Sequence, residues 1–372
     1  MLQITKPKLR VALIHYWLVG MRGGERVLER IARLYPQADI FTHVVSPPDI
    51  SQELRDRRIR TTFIARLPGA ARRYQSYLPL MPLALEQLDL RGYDLVISSE
   101  SGPAKGAIAA PDALHVCYCH SPMRYLWDQY PAYRERAGFI RRTSMPLLCH
   151  YLRNWDMASA SRVDSFIANS SFIRRRISRA WGRDSSVVHP PVPVELYTPA
   201  ETVGDYYLWV GQLISYKRPD LAIDAFNRLG LPLLVVGDGD MAAELKRRAG
   251  PNIRFIDRMP FDRLRRAYAE AKALIFTAEE DFGIVPVEAN AAGRPVIAYG
   301  RGGVLDSIVE GATGIFFGEQ SVDALVDAVG QFEAWLPDFD PAAATGNARR
   351  FSPERFDLQF LEAVERARAE KA

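Results

Sequence analysis

Cysteine is scarce in this chain and long apolar runs are missing, and each shortage excludes something. The three cysteines, Cys117, Cys119 and Cys149, are odd in number and lack C-x-x-C spacing, which argues against a disulfide framework and against a cysteine zinc site. A reducing cytoplasm is the expected setting. No apolar stretch reaches the roughly 18 residues that a membrane span needs. The run from Val11 to Met21, preceded by Lys6, Lys8 and Arg10, imitates a signal peptide, but His15 interrupts it and no small-x-small cleavage site follows, so it reads as a buried first strand. The histidines show no pairing at metal-ligand spacing, and no metal or other cofactor is expected.

Net charge is also small, +4 over 372 residues, yet it hides an asymmetry. Residues 1–200 carry 28 Lys and Arg against 17 Asp and Glu, whereas residues 201–372 carry 20 against 27. Such a split suggests two domains with different partners, and the length exceeds what one core usually supports. A composition 48% hydrophobic and 25% charged excludes disordered, collagen-like and coiled-coil chains.

Short β-branched runs alternate with helical patterns throughout, the pattern of βαβ units around parallel sheets. The spacing predicts strands at Arg10 to His15, Asp39 to Val44, Leu95 to Ser98, His115 to Cys119 and Ser165 to Ala168. A second set is expected at Tyr207 to Val210, Leu233 to Gly237, Ile253 to Asp257, Ala273 to Thr277, Pro295 to Ala298 and Gly314 to Phe317. Between the sets, His189 to Pro199 holds four prolines, which rule out a helix and stiffen an extended connection. Residues 1–195 therefore form one domain and 196–350 another, while 351–372 form a terminal helix, opened by Ser352-Pro-Glu, that packs back on the first domain. Pro341 to Thr345 reads as a loop. The fold class is α/β, two Rossmann-like doubly wound domains, with ligands at the carboxyl ends of the strands.

The most informative segment runs from Thr277 to Val296. A strand ends near Thr277, an acidic turn with Gly283 follows, and a helix starts at about Ile284. Free N–H groups and the positive dipole end at that start favour a phosphate. Glu280, before the turn, can reach sugar hydroxyls, and Glu288, inside the helix, can chelate a ribose diol, because a carboxylate accepts two hydrogen bonds. Taken singly, either acid could instead be an ordinary solvated residue.

Glu280-x(7)-Glu288 with Phe282-Gly283 inside it, followed by Ala292-Gly-x-Pro-Val, Gly302-Gly and Glu310-Gly-x-x-Gly314, resembles family 4 of the retaining GT-B glycosyltransferases (glycosyltransferase group 1), in particular bacterial mannosyltransferase-like members that build O-antigens and exopolysaccharides. The likeness covers nearly the whole chain. His15-Tyr-Trp-Leu-Val-Gly-Met-Arg-Gly-Gly24 is similar to the family's first glycine-rich loop, Cys119-His-Ser-Pro-Met-Arg-Tyr-Leu-Trp-Asp128 to its histidine loop, Val210-Gly-Gln-Leu-Ile-Ser-Tyr-Lys217 to its diphosphate turn, and Val236-Gly-Asp-Gly239 to the next turn around the nucleotide.

The resemblance implies a GT-B fold with an interdomain cleft, a nucleotide-sugar donor and a hexosyltransferase reaction. It further implies that Lys217 neutralises the leaving diphosphate, that His120 lies near the transferred sugar and acceptor, and that Glu280 holds sugar hydroxyls; these three are the catalytic candidates. Donor-binding candidates are Gly23 and Gly24, Gly211, Gln212, Lys217, Arg218, Gly237, the base-contacting pair Arg258 and Met259, then Glu280, the backbone of Phe282, Gly283, Ile284 and Val285, and Glu288 for the ribose. The family's arginine after the glycine of the diphosphate strand is here Gln212, and an amide cannot match a charged fork. Either another cation compensates, Arg218 being one candidate, or donor affinity is weaker. Asp257 also replaces a usual glycine beside Arg258.

GDP-mannose is the favoured donor, with GDP-rhamnose or a UDP-sugar as alternatives, and the acceptor is polyprenyl-linked or an oligosaccharide. The basic, apolar stretch Arg72 to Leu85, helped by Arg141, Arg142 and Arg174 to Arg176, suggests contact with an anionic membrane, so that the protein is peripheral on the inner face of the cell membrane; the same stretch could equally be buried core. A sugar-nucleotide epimerase or phosphorylase of the same architecture competes distantly. A nucleic-acid-binding role is disfavoured, because the arginines are scattered and no binding motif accompanies them.

Overall fold

The computed structural model describes residues 9–135 and 137–371; Lys6 and Lys8 lie outside the described residues. Thirteen strands form among them. Seven make the first sheet: β1 (Val11–His15), β2 (Asp39–Thr42), β3 (Ile59–Thr61), β4 (Leu95–Glu100), β5 (Leu114–Cys119), β6 (Ser165–Ala168) and β7 (Ser186–Val187). Six make the second: β8 (Tyr207–Val210), β9 (Leu233–Val236), β10 (Ile253–Ile256), β11 (Leu274–Phe276), β12 (Val296–Tyr299) and β13 (Gly314–Phe317). Their orders are β3-β2-β1-β4-β5-β6-β7 and β10-β9-β8-β11-β12-β13, with every pairing parallel. Helices cover both faces of such sheets, so the central strands are continuous apolar runs rather than alternating ones; all five residues of β1 and all six of β4 are buried.

Each order reverses beside its founding strand, between β1 and β4 in one sheet and between β8 and β11 in the other. Loops leaving the carboxyl ends of two such strands diverge and leave a crevice between them. This places the segments after His15, Glu100, Val210 and Phe276 at the two switch points.

The chain divides into two compact units, one ending at His189 and resuming at Asp357, the other spanning Pro190 to Phe356. The last helix, Pro353–Lys371, is fixed within the first unit by Arg30, whose Nε and Nη2 donate to the two carboxylate oxygens of Asp357 at 2.7 and 2.6 Å, and by Lys371, whose ammonium donates to Asp164 at 2.8 Å. In the second unit the proline-rich connection is pinned where Val192 N donates to Phe351 O at 2.8 Å.

Two expectations need correction. Pro341 to Thr345 is not a loop but the start of the helix Pro341–Ala348. Its proline sits at N1, where a missing N–H costs nothing, Asp340 Oδ1 accepts from Ala342 N at 2.8 Å, and three alanines propagate it. The short edge strands β3 and β7 were not expected; at three and two residues they carry no period long enough to read.

Candidate active site

In the second unit two turns stack backbone to backbone. Gly211 N donates to Val236 O and Leu213 N to Asp238 O, both at 3.0 Å. A Cβ on Gly237 would lie 1.8 Å from Gly211 O, and Gly237 has φ +146°, so only glycine lets the loops after β8 and β9 touch. Gly237→Ala is expected to cost about 3 kcal/mol or more, measured as a lowered midpoint in urea unfolding of this unit; an unchanged midpoint would show that the loops can part freely.

The loop after β8 delivers Lys217 at the end of the turn Ser215–Lys217. Its backbone is tied to the adjacent strand end: Trp209 Nε1 donates to Thr277 Oγ1 at 3.1 Å, and Thr277 Oγ1 donates to Lys217 O at 2.8 Å. On the other side of the switch point, Gly303 N donates to Glu280 O at 2.8 Å and holds the acidic turn. The outcome is an ion pair, Lys217 Nζ to Glu280 Oε1 at 2.7 Å, with both side chains less than one-fifth exposed. The ammonium and the carboxylate expected to address leaving group and sugar hydroxyls therefore stand side by side.

Next to them begins the helix Ile284–Ala291, whose N-cap is Gly283 and which no side chain caps. The amides of Gly283, Ile284 and Val285 have no intrahelical acceptor, while Pro286 has no N–H. Phe282 is buried in the core, its ring 5.4 Å from that of Phe351, so only its backbone can serve a ligand. Glu288 is no solvated helix residue: it is buried, and its Oε2 accepts from Tyr268 Oη at 2.8 Å. Burial first, and then the Glu288 carboxylate, push the Tyr268 phenol well above its ordinary range, so it remains a donor.

Other donor-side candidates are less concentrated. Gln212 is exposed. Arg218 takes a left-handed φ of +52° and its guanidinium contacts Asp220 at 3.1 Å, so its charge is already engaged within its own helix start. Arg258 is exposed beyond β10, and Met259 packs against the core and lines a groove with Leu234, Asn252 and Arg254. Gly211 lies against Lys217, whereas Arg258 and Met259 follow the edge strand β10.

In the first unit, Gly23 and Gly24 open the helix Gly23–Leu34, and His120 follows β5. A Cβ on Gly24 would lie 2.5 Å from Tyr16 Oη and 3.6 Å from His120 Nε2, so the glycine lets the loop lie against the histidine. Asn169 Nδ2 donates to His120 O at 3.0 Å and His120 N donates to Glu100 O at 2.8 Å. Beneath is a fully buried charge cluster: Lys105 pairs with Asp156 and lies 3.8 Å from Glu100. Sequence reasoning missed Thr277, Tyr268, Ser99, Glu25 and this cluster. Only the register of distant strands brings them in, such as His15 opposite Ser99, and no local spacing encodes it. Among the described residues, no three His, Cys, Asp or Glu side chains gather as a metal site would require.

Residues 21–196 match the Glycosyltransferase Family 4 model, and residues 200–335 match Glycosyl transferases group 1. The chain carries the two domains of a GT-B glycosyltransferase. The expected fold class is thereby met. Among curated relatives of these glycosyltransferase domains, the D-inositol 3-phosphate glycosyltransferase of Kribbella flavida is 28% identical over 201 residues, 45% of this chain and 47% of that protein. A human GDP-Man:Man(3)GlcNAc(2)-PP-Dol alpha-1,2-mannosyltransferase is 28% identical over 272 residues, covering 62% and 55%. The chain thus spans about half the length of the curated relatives it matches. The solved structure of Anabaena Alr3699/HepE with UDP-glucose superposes with a TM-score of 0.71 at 18% identity, over 95% of this chain and 99% of that one.

Proposed function

We propose that the chain is a retaining, nucleotide-sugar-dependent hexosyltransferase that moves mannose from GDP-mannose to a polyprenyl-linked or oligosaccharide acceptor in bacterial surface polysaccharide synthesis. The observation that carries this reading is the Lys217–Glu280 pair, 2.7 Å apart at a switch point, beside the uncapped start of a buried helix. The human relative, whose name specifies GDP-Man and a PP-Dol-linked acceptor, supports mannose and a lipid diphosphate. The HepE complex with UDP-glucose keeps a UDP-sugar as the second donor reading, and GDP-rhamnose is a third.

Cleaving the anomeric C–O bond leaves the electron pair on the diphosphate and positive charge on the ring. Lys217 and the amides of Ile284 and Val285 stabilise the first, preorganised where the charge develops. Glu280 accepts from sugar hydroxyls, Glu288 from the ribose, and His120 serves the transferred sugar and acceptor. The acceptor hydroxyl adds to the face the diphosphate leaves, passing its proton to that phosphate, so an α-linked donor gives an α-glycoside. The test is incubation with GDP-mannose and a short polyprenyl-diphosphate-linked sugar. The expected products are GDP and an α-mannosylated lipid; no transfer from GDP-mannose, GDP-rhamnose or UDP-sugars would contradict the reading.

An anionic membrane surface is proposed as a further partner, at a place other than expected. No described helix is long and apolar enough to cross a membrane. Of the stretch Arg72 to Leu85, Met81, Ala84 and Leu85 are buried and Tyr74, Tyr77 and Leu78 pack against core, which leaves Leu80 and Leu83 as its exposed large apolar side chains, at 42% and 49%. Phe139, Ile140 and Leu147 are instead 83%, 82% and 79% exposed on the helix Phe139–Ala160, next to exposed Arg141 and Arg142. Apolar side chains beside cations suit insertion among anionic headgroups. Phe139→Ser with Ile140→Ser should weaken binding to phosphatidylglycerol-rich vesicles at least about tenfold, since each side chain is worth about 1.5–3 kcal/mol when buried. Unchanged cosedimentation would remove this surface from the account.

A further inference from the structure

A chain of hydrogen-bonding groups leads from the helix behind the glycine-rich loop to His120. β1 and β4 are neighbours, and their parallel register sets His15 opposite Ser99; β5 follows, with Tyr118 opposite Ser99. The carboxyl ends of three adjacent strands thus bring His15, Ser99 and His120 into one layer. His15 Nδ1 lies 3.0 Å from Ser99 Oγ, and Ser99 Oγ lies 2.9 Å from His120 Nε2. At the far end, His15 Nε2 faces Glu25 Oε1 at 3.8 Å and makes no hydrogen bond of its own. Glu25 Oε2 meanwhile accepts from Arg22 N at 3.0 Å, closing the cap of the helix Gly23–Leu34. His15, Ser99 and Glu25 are all at least 97% buried.

We infer that Glu25, through His15 and Ser99, fixes which ring nitrogen of His120 carries the proton. A neutral imidazole has one N–H and one lone pair. Were the lone pair of His15 on Nε2, two buried acceptors would face each other across 3.8 Å, which is unfavourable where water cannot intervene. The proton therefore sits on Nε2, toward the carboxylate, and Nδ1 accepts the hydroxyl proton of Ser99. Ser99 Oγ, having donated, accepts from His120 Nε2–H. His120 is left with its lone pair on Nδ1. Glu25 is ionised: burial would raise its carboxyl, but His15 beside it and the backbone amides of Glu25 and Arg22 outweigh this and hold it below its ordinary value. Glu25, His15 and Ser99 are positioning residues; they act only through the histidine.

This deepens the proposed function and rests on its assignment of His120 to the transferred sugar and acceptor. A lone pair on Nδ1 makes His120 an acceptor for a substrate hydroxyl rather than a donor to a substrate oxygen. It also makes one carboxylate serve two tasks, capping the helix of the glycine-rich loop and orienting the histidine, so the loop's closure and the ring's proton are set together.

The test reads the proton directly. The full chain is labelled with ¹⁵N-histidine and its ring nitrogens are observed at about pH 8, above the ordinary imidazole range, with His120 assigned by its loss in His120→Asn. The wild type is expected to show a protonated Nε2 and an unprotonated Nδ1 for His120. Glu25→Gln keeps an acceptor for the cap yet presents an N–H to His15 Nε2, which reverses every donor in the relay and should transfer the His120 proton to Nδ1. Ser99→Ala cuts the relay without touching the cap and should give a mixture of tautomers. The same His120 tautomer in the wild type, Glu25→Gln and Ser99→Ala would overturn the inference, as would a wild-type proton on Nδ1. If Glu25→Gln fails to fold, Ser99→Ala still decides. The two variants should also lower kcat at least about tenfold with the donor KM unchanged. Because the spectrum needs no substrate, absence of transfer would count against the proposed function while leaving the tautomer result standing.

Discussion

Lys217→Ala lowers kcat for sugar transfer by about 100- to 1,000-fold, the loss typical of removing one preorganised group that meets developing negative charge. The ammonium is held from both sides: its backbone carbonyl accepts from Thr277 and its Nζ pairs with Glu280. A charge placed this way costs no rearrangement when the diphosphate departs. Lys217→Arg keeps the charge but replaces a point with a planar fork, so it should recover part of the loss and not all of it. Glu280→Ala removes the partner that aims Lys217 and the acceptor for sugar hydroxyls, and should likewise lower kcat. Steady-state assay of released nucleotide diphosphate with each variant checks this; a Lys217→Ala enzyme within threefold of the wild type would remove the lysine from the chemistry.

Lys105→Met should destabilise the first unit by about 3–5 kcal/mol, because it strands two buried carboxylates. Lys105 has no exposed surface, and neither do Asp156 and Glu100. Trp127 and Trp181 each donate an indole N–H to Asp156 at 2.8 Å, and Glu100 accepts the amides of Ala104 and Lys105 at 2.8 and 2.7 Å. Burial, opposed mainly by Lys105, raises the Glu100 carboxyl to about 7. A carboxyl raised by folding binds a proton more tightly in the native state, so its contribution is most favourable below about pH 4.5 and declines as pH rises through about 7. With Lys105 gone the opposing charge is lost and Glu100 rises further. Urea unfolding should therefore show a larger deficit for Lys105→Met at pH 8 than at pH 5; an equal deficit at both would mean that the ammonium leaves Glu100 unaffected. Since Glu100 O accepts from His120 N, the cluster also underpins the histidine.

Much of this arrangement was legible in the residues. Strands such as Tyr207 to Val210 and Gly314 to Phe317 are short apolar runs bounded by turn residues, and parallel sheets covered by helices leave that signal. The helix start at Ile284 was visible because Gly283 ends one element and an apolar run begins the next. Less legible were features that depend on register. Ser99 resembles any polar residue at a strand end until β1, β4 and β5 are aligned, and Tyr268 finds Glu288 from a different helix. Glu288 looked solvated on composition because acids seldom lie inside; a tyrosine hydroxyl buried beside it makes the burial tolerable. Pro341 to Thr345 reads as a loop from its residues, whereas proline at N1 starts a helix.

The central claim is that the second unit holds the donor through Lys217, Glu280 and Glu288, and the most direct measurement is thermal unfolding of the whole chain against a panel of GDP- and UDP-sugars. A donor at 100 times its Kd stabilises the state that binds it by about 2.7 kcal/mol. The account predicts that one nucleotide sugar, GDP-mannose first, raises Tm with the logarithm of its concentration over Kd once that ratio is large, and that Lys217→Ala and Glu288→Gln each reduce that shift. No shift with any nucleotide sugar, or an equal shift in the wild type and both variants, would contradict it.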